Sequence, residues 1–322
     1  MDFEWTEVQR SWREKGKALG RELAEDAAAG DVVTGAARVG IVDPEIDLLS
    51  AALAVETLAC ESPAAGMTLA LHTTTLKAHL SEGSLIDSLA RGEIVGALVL
   101  SSEDVPTMED GRLSGRASWV GPITDHGIAV VGARSGVQVV ACGVALDDQR
   151  VHVTEVKTSA LRGFVWAYLA FSGAQYVAAG ETMSIMARAR TLVASVALGI
   201  CHRALRESLA VVRREHGAGG EQTVQGLLAD TATELEAARM LTWKAAASGD
   251  EVSLAEASRA KLAAASAAQA AVVRATQVVG VDSFRRGHVI ERLTQDVRAI
   301  ELFAGRTETL REAVGDAELP RA

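Results

Sequence analysis

The chain has 322 residues, of which 48% are hydrophobic and only 4% aromatic, and its formal net charge is −10. That length suffices for about two domains and a sizeable core, and the excess of Ala, Val and Leu favours helix packed on helix over an aromatic-rich sandwich. The acidic balance argues against a nucleic-acid partner, because phosphate binding needs clustered Lys and Arg.

From Phe3 to about Ala29 apolar residues fall at helical spacing, and Gly30-Asp31 is expected to end that helix. A second helix is expected from Asp43-Pro44-Glu45, with Asp43 as cap and Pro44 at the first position, running through LLSAALAVETLA. Two shorter helices follow in GMTLALHTTTLKAHL and SEGSLIDSLARG, the latter opened by a capping Ser and closed by Gly92. The pattern then changes to short Val-rich runs at spacings of roughly ten residues: EIVGALVLS, GRLSGRASWV, GIAVVGAR, GVQVVACGVAL and RVHVTEV. Long helices return at 182–214, 222–247, 253–280 and 288 to about 315, with Ser253 and Glu256 forming a capping box. The Ala-rich KLAAASAAQAAVVRATQ reads either as the central bundle helix or as plain helix propensity. The expected fold is mainly α with a central β domain: an N-terminal helical domain (1–92), a middle β domain (93–175) and a C-terminal four-helix bundle (176–322).

No Gly-x-Gly-x-x-Gly follows a strand, and neither a Walker loop nor a Gly-x-Ser-x-Gly elbow is present. Cys60, Cys142 and Cys201 lie far apart with no Cys-x-x-Cys spacing, so no disulfide framework or zinc site is expected and a cytoplasmic location fits. Of the seven histidines, His72 and His79 could share a helix face, but two turns separate them by roughly 10 Å, too far to grip one ion. The amino terminus is charged from its second residue, and TLVASVALGI falls short of the ~18 apolar residues of a span, so no targeting segment and no membrane association are expected.

The last third carries particular words in a particular order: RTLVASVALGICHRALRESLAVVRREHG, then LADTATELEAARML, ATQVVGVDSF and ERLTQDVRAIELFAGRTETLRE. With the helix–sheet–bundle order, these resemble the acyl-CoA dehydrogenase family over nearly the whole chain. The resemblance implies FAD between the β domain and the bundle, its adenine end held across a subunit interface. The family's Arg-x-x-Phe-Gly reads Arg213-Arg214-Glu215-His216-Gly217, implying Arg213 as the cation for the pyrophosphate; alone, it would read as an exposed helix-end arginine. Gln-x-x-Gly-Gly appears as Gln277 to Gly280 with Val281 for the second Gly, and the family's Arg-Asp is Gln295-Asp296. In the β domain, Ser102 stands where the family has a Thr. Leu113-Ser114-Gly115 leads to Trp119, read either as the tryptophan beside the flavin or as β-core packing, and Gly121 replaces a Thr there.

Acyl-CoA dehydrogenation needs a carboxylate beside the substrate's α-carbon. The family's Tyr-Glu-Gly-Thr word aligns with Phe303-Ala304-Gly305-Arg306, and the alternative base, just before an Arg on the first bundle helix, aligns with Ala189 before Arg190. Both base positions are therefore alanine, and Arg306 adds a cation. The resemblance implies a subunit of a hetero-oligomer that completes the flavin site of a complete acyl-CoA dehydrogenase partner. Its substrate would be an acyl-CoA, bulky as in steroid side-chain degradation by heterotetramers, and its acceptor an electron-transfer flavoprotein. Two other readings stay open: a self-sufficient dehydrogenase with a relocated base at Glu301, Glu308 or Glu181, and an acyl-CoA-binding or structural protein without flavin.

Overall fold

The computed structural model describes residues 5–78, 81–100, 104–215 and 221–319. Helix α1 (Glu7–Glu22) starts at a capping box in which Thr6 accepts from the Gln9 amide and the Gln9 side chain returns to the Thr6 amide. The chain turns extended at Leu23 and re-enters helix as α2 (Ala29–Arg38). Gly30 and Asp31 thus lie in the first turn of a helix and do not end one. The physical reason is burial: Val32, Val33 and Ala36 recur at helical spacing on a buried face, and Asp31 complements the positive end of the helix.

Helix α3 (Leu48–Glu61) is capped by Asp47, which accepts from the Ser50 amide at 2.8 Å, and not by Asp43. Asp43 instead accepts from the Glu45 amide, so Asp-Pro-Glu is a turn ahead of the helix. Ser62 closes α3 and caps α4 (Pro63–Leu76), with Pro63 at the position where a missing amide costs nothing. Helix α5 (Gly83–Ala90) has no side-chain cap, contrary to the expected serine. His72, fully buried on α4, uses both ring nitrogens: Nδ1 accepts from the Gly96 amide and Nε2 donates to the Leu89 carbonyl. It is therefore a neutral tie between α4, α5 and the sheet, its pKa pushed down to about 4 by burial. His79 lies outside the described residues.

The strands are β1 (Val95–Val99), β2 (Thr107–Glu109), β3 (Arg112–Val120), β4 (Gly127–Ser135), β5 (Gln138–Ala145), β6 (Val151–Val156), β7 (Trp166–Ala174) and β8 (Val177–Ala178). They form an eight-stranded sheet of order β6-β7-β3-β2-β4-β5-β8, with β1 pairing in parallel to β4. Strand β7 was not among the five expected runs: Trp166 and Ala167 are both buried, so the alternation that marks a one-sided strand is broken. Leu113, Ala117, Val131, Val144 and Leu169 build the sheet's own core.

The remaining helices are α6 (Thr182–Glu215), α7 (Gln222–Ala247), α8 (Leu254–Val279), α9 (Val289–Leu302) and α10 (Thr307–Glu318). The helix expected from 288 to about 315 is thus two, broken where Ala304 and Gly305 adopt φ of 56° and 117°. Helix α8 opens on the Ser253–Glu256 capping box and packs against α6, α7, α9 and α10 with Ala257, Ala260, Ala264, Ala268, Ala271 and Ala275 buried. Both α6 and α8 are long and apolar enough to cross a membrane by composition, since a few charges do not offset their Ala, Val and Leu; 94% of the qualifying α6 window is buried against the other helices. Helices α1, α4 and α6 all approach α3 through glycine. A β-carbon on Gly16 would lie 2.5 Å from the Ala54 carbonyl, on Gly66 2.4 Å from the Ala59 β-carbon, and on Gly199 2.6 Å from that same atom.

Candidate functional site

A cleft of about 1250 Å³ opens between the sheet and the helices. Its sheet wall is the outer face of β6, β7 and β3, with Arg116, Ser118, Trp119, His152, Thr154 and Tyr168; its helical wall holds Met186 and Ala189 of α6 together with Leu302–Arg306 at the α9–α10 break. Trp119, Ala189 and Ala304, singled out in three distant parts of the sequence, therefore line one cavity. Trp119 follows a register shift in β3, has φ of 60°, and meets Trp166 and Tyr168 edge-on with ring centroids 6.1 and 5.8 Å away. It is half-exposed, not packed in the β core. The aromatic series continues from Phe164 through Trp166 to Phe303, the last pair 5.0 Å apart, and so joins sheet to helix.

Gly121 does not face the cleft as a missing hydroxyl would. A β-carbon there would sit 2.4 Å from Phe164, so the space of a threonine is filled by an aromatic ring.

The Ala304 loop is held from behind by two buried cations. Lys261 on α8, fully buried, donates to the carbonyls of Phe303, Gly305 (2.5 Å) and Glu301 (3.3 Å). Arg190 donates through Nε to the Ala304 carbonyl at 3.0 Å and through Nη1 to Ser258 at 2.7 Å. Burial lowers the pKa of both; for Lys261, with Arg190 adding repulsion, it is pushed down to about 7. A lone Lys in an Ala-rich helix was the available signal for Lys261, and the sequence reading passed over it.

Among the described residues that line the cleft the only carboxylate is Asp104, which accepts from Ser118 at 2.8 Å. Glu301 accepts from Arg298 and Thr307, Glu181 caps α6 by accepting from Ser184, and Glu308 is exposed on α10; none of the three lines the cleft. Arg213, in the last turn of α6, and Gln277, near the end of α8, are exposed away from the cleft. Gly280 ends α8 with φ of 72°, and beyond it Val281 and Phe284 are exposed. Asp296 is buried on α9 and accepts from the Leu161 amide at 2.6 Å, tying the β6–β7 loop to the bundle; burial pushes its pKa up to about 6. Ser102, His216 and Gly217 lie outside the described residues, and among the described residues no cluster of three His, Cys, Asp or Glu could hold a metal.

A helical layer, an eight-stranded sheet and a helical bundle enclosing a cleft define the acyl-CoA dehydrogenase fold. Residues 180–319 match the family described as acyl-CoA dehydrogenase, C-terminal domain. The fold extends over the whole chain. Butyryl-CoA dehydrogenase from Megasphaera elsdenii superposes with a TM-score of 0.86 at 19% identity, covering 99% of this chain and 100% of that one. A glutaryl-CoA dehydrogenase from Mycobacterium smegmatis, in complex with FADH2, superposes with a TM-score of 0.87 at 15% identity, covering 99% and 96%. Among curated proteins, a 3-sulfinopropanoyl-CoA desulfinase of Paraburkholderia xenovorans (strain LB400) is 34% identical over 223 residues, 64% of this chain and 52% of that protein. The chain spans about half the length, or less, of the curated relatives it matches first.

Proposed function

We propose that this chain is a subunit of a FAD-dependent acyl-CoA dehydrogenase that lacks its own base and completes the flavin site of a catalytically complete partner. The observation that carries the reading is the pair of methyl groups, Ala189 and Ala304, on the cleft wall where the resemblance calls for a carboxylate. Neither methyl can take a proton, while the backbone around Ala304 is still fixed by Lys261 and Arg190. Bound flavin would accept the hydride equivalent; this chain would contribute binding groups. Arg213 and Gln277 would serve a flavin lying across a subunit interface, and their exposure outside the cleft supports that role. Met240, Val273, Val281 and Phe284, exposed on α7, α8 and the turn after it, supply an apolar surface for such an interface. The substrate in this reading is an acyl-CoA of the bulky, steroid side-chain kind, with a heterotetrameric assembly and an electron-transfer flavoprotein as acceptor.

The test is co-expression with a complete dehydrogenase subunit, followed by mass and flavin content. Arg213→Ala should lower flavin retention by about ten- to a hundredfold without unfolding the chain, as expected for one charged hydrogen bond to an anion. Flavin retained fully by Arg213→Ala but lost in Trp119→Ala would reverse the assignment of which subunit holds the ring. The competing reading, a self-sufficient enzyme with a relocated base, is weakened by the placement of Glu181, Glu301 and Glu308 off the cleft.

A further inference from the structure

The chain carries ten net negative charges, yet among the described residues its cleft is lined by Arg116, His152 and Arg306 against the single carboxylate of Asp104. Among the described residues the side chains of Arg116, His152 and Arg306 make no hydrogen bond or ion pair with the protein. The pairing register shows how two of these groups are arranged. Ala170 on β7 is the partner of both Arg116 on β3 and His152 on β6, so the three stand in one row across adjacent strands. Side chains at these positions share the outward face, which also carries Thr154, Ser118 and Tyr168. With strands about 4.8 Å apart, the Arg and His backbones are about 10 Å apart, and the methyl of Ala170 leaves the floor between them open.

We propose that Arg116 and His152 form a cradle for the phosphate groups of a ligand whose apolar or planar part lies along Trp119 and the Ala189–Ala304 wall. A guanidinium suits phosphate because its donors bind two oxygens at once. The row is a built feature of the sheet, distinct from Arg213, and gives this chain's own cleft a ligand whether or not it turns one over. The inference rests on the reading above only in naming two sources of such a ligand, a flavin dinucleotide and a coenzyme A thioester.

The test uses the full chain without any partner, so that its failure is separate from failure of the hetero-oligomer reading. Calorimetric titration would be run with coenzyme A and with pantetheine, which lacks its phosphates, and in parallel with FAD and riboflavin. The expected result is that one phosphate-bearing member binds at least tenfold more tightly than its phosphate-free counterpart, and that the pair showing this identifies the source. Arg116→Ala should remove most of that difference, Arg116→Lys should restore part of it, and His152→Ala should give a smaller loss. Arg134→Ala, on the exposed end of β4 outside the cleft, should change nothing. Binding weakened as salt is raised is the expected accompaniment. Equal affinity for phosphate-bearing and phosphate-free probes, no binding of either nucleotide, or wild-type affinity in a folded Arg116→Ala chain would overturn the proposal.

Discussion

The two walls of the cleft are built on opposite plans. On the helical wall two cations are buried and spent on backbone: Lys261 and Arg190 hold the carbonyls of residues 303–305, and the residues lining the cavity are mostly apolar, with Arg306 beside them. On the sheet wall the cations are exposed and uncommitted, the hydroxyls and rings point outward, and the buried side is ordinary Val, Leu and Ala. In the function proposed above, the helical wall has the geometry of a catalytic site without its reactive group. The sheet wall has the groups to bind a ligand but none placed as a base. Loop shape is thus separable from loop chemistry, because the backbone of residues 303–305 is fixed by groups behind it and not by the side chain it presents.

The largest effect that would break this contrast is catalytic. The isolated chain, given FAD and acyl-CoA thioesters, should turn over at least ~10²–10⁴-fold more slowly than the partnered complex, the usual worth of a positioned base. Robust turnover by the pure chain, followed by dye reduction, would mean that the helical wall or Asp104 supplies one after all. Next in size, Lys261→Met should cost about 4 kcal/mol in urea unfolding, because two or more buried carbonyls lose their donor. A cost below about 1 kcal/mol would show that the loop holds itself.

Acidification separates the regions further. His72 and His202, both on helices, have pKa values pushed down to about 4 from an ordinary 6.5, mainly by burial. Between those pH values the unfolded chain binds protons that the folded chain does not, so stability should fall as pH drops from 6.5 towards 4. For the fully buried His72 the loss is on the order of 3 kcal/mol. Asp296, pushed up to about 6 from 3.8, acts oppositely: the folded chain holds the extra proton, and this contribution favours folding as pH drops through that window. Unfolding midpoints measured across pH 4–7 should therefore show a net decline, shallower in His72→Asn relative to its own value at pH 7. Smallest, Gly121→Thr should destabilise by about 2 kcal/mol through collision with Phe164, a penalty that Phe164→Ala in the same chain should partly remove.

Much of the fold was legible because long helices and Val-rich strands announce themselves through period and punctuation, as at the Ser253–Glu256 capping box. One error came from reading punctuation too literally: Gly30 and Asp31 looked like a stop, but they lie in the first turn of α2, where Val32, Val33 and Ala36 are buried. The converse error joined α9 to α10, since one Gly in a polar helical stretch gives little warning of two consecutive left-handed residues. In the site, Trp119, Ala189 and Ala304 were found through words of the resemblance. Arg116 and His152 were not, because pairing across three strands is a tertiary fact with no local trace, and Lys261 left only the faint one of a lone Lys in an Ala-rich helix.

The glycine contacts around α3 have a mechanical corollary. With α1, α4 and α6 seated on Ala54 and Ala59 at separations that leave no room for a methyl group, the helical layers cannot slide past one another. The sheet is fastened to the helices at β1 by Thr75 of α4, whose hydroxyl donates to the Ala97 carbonyl and whose side chain fills the space above Gly96. Near β7 it is tied by the hydrogen bond from Leu161 to Asp296 and by the contact of Trp166 with Phe303. The helical layers therefore act as a fixed backing for the cleft, and the sheet is registered against that backing at separate points on β1, β7 and the loop before β7.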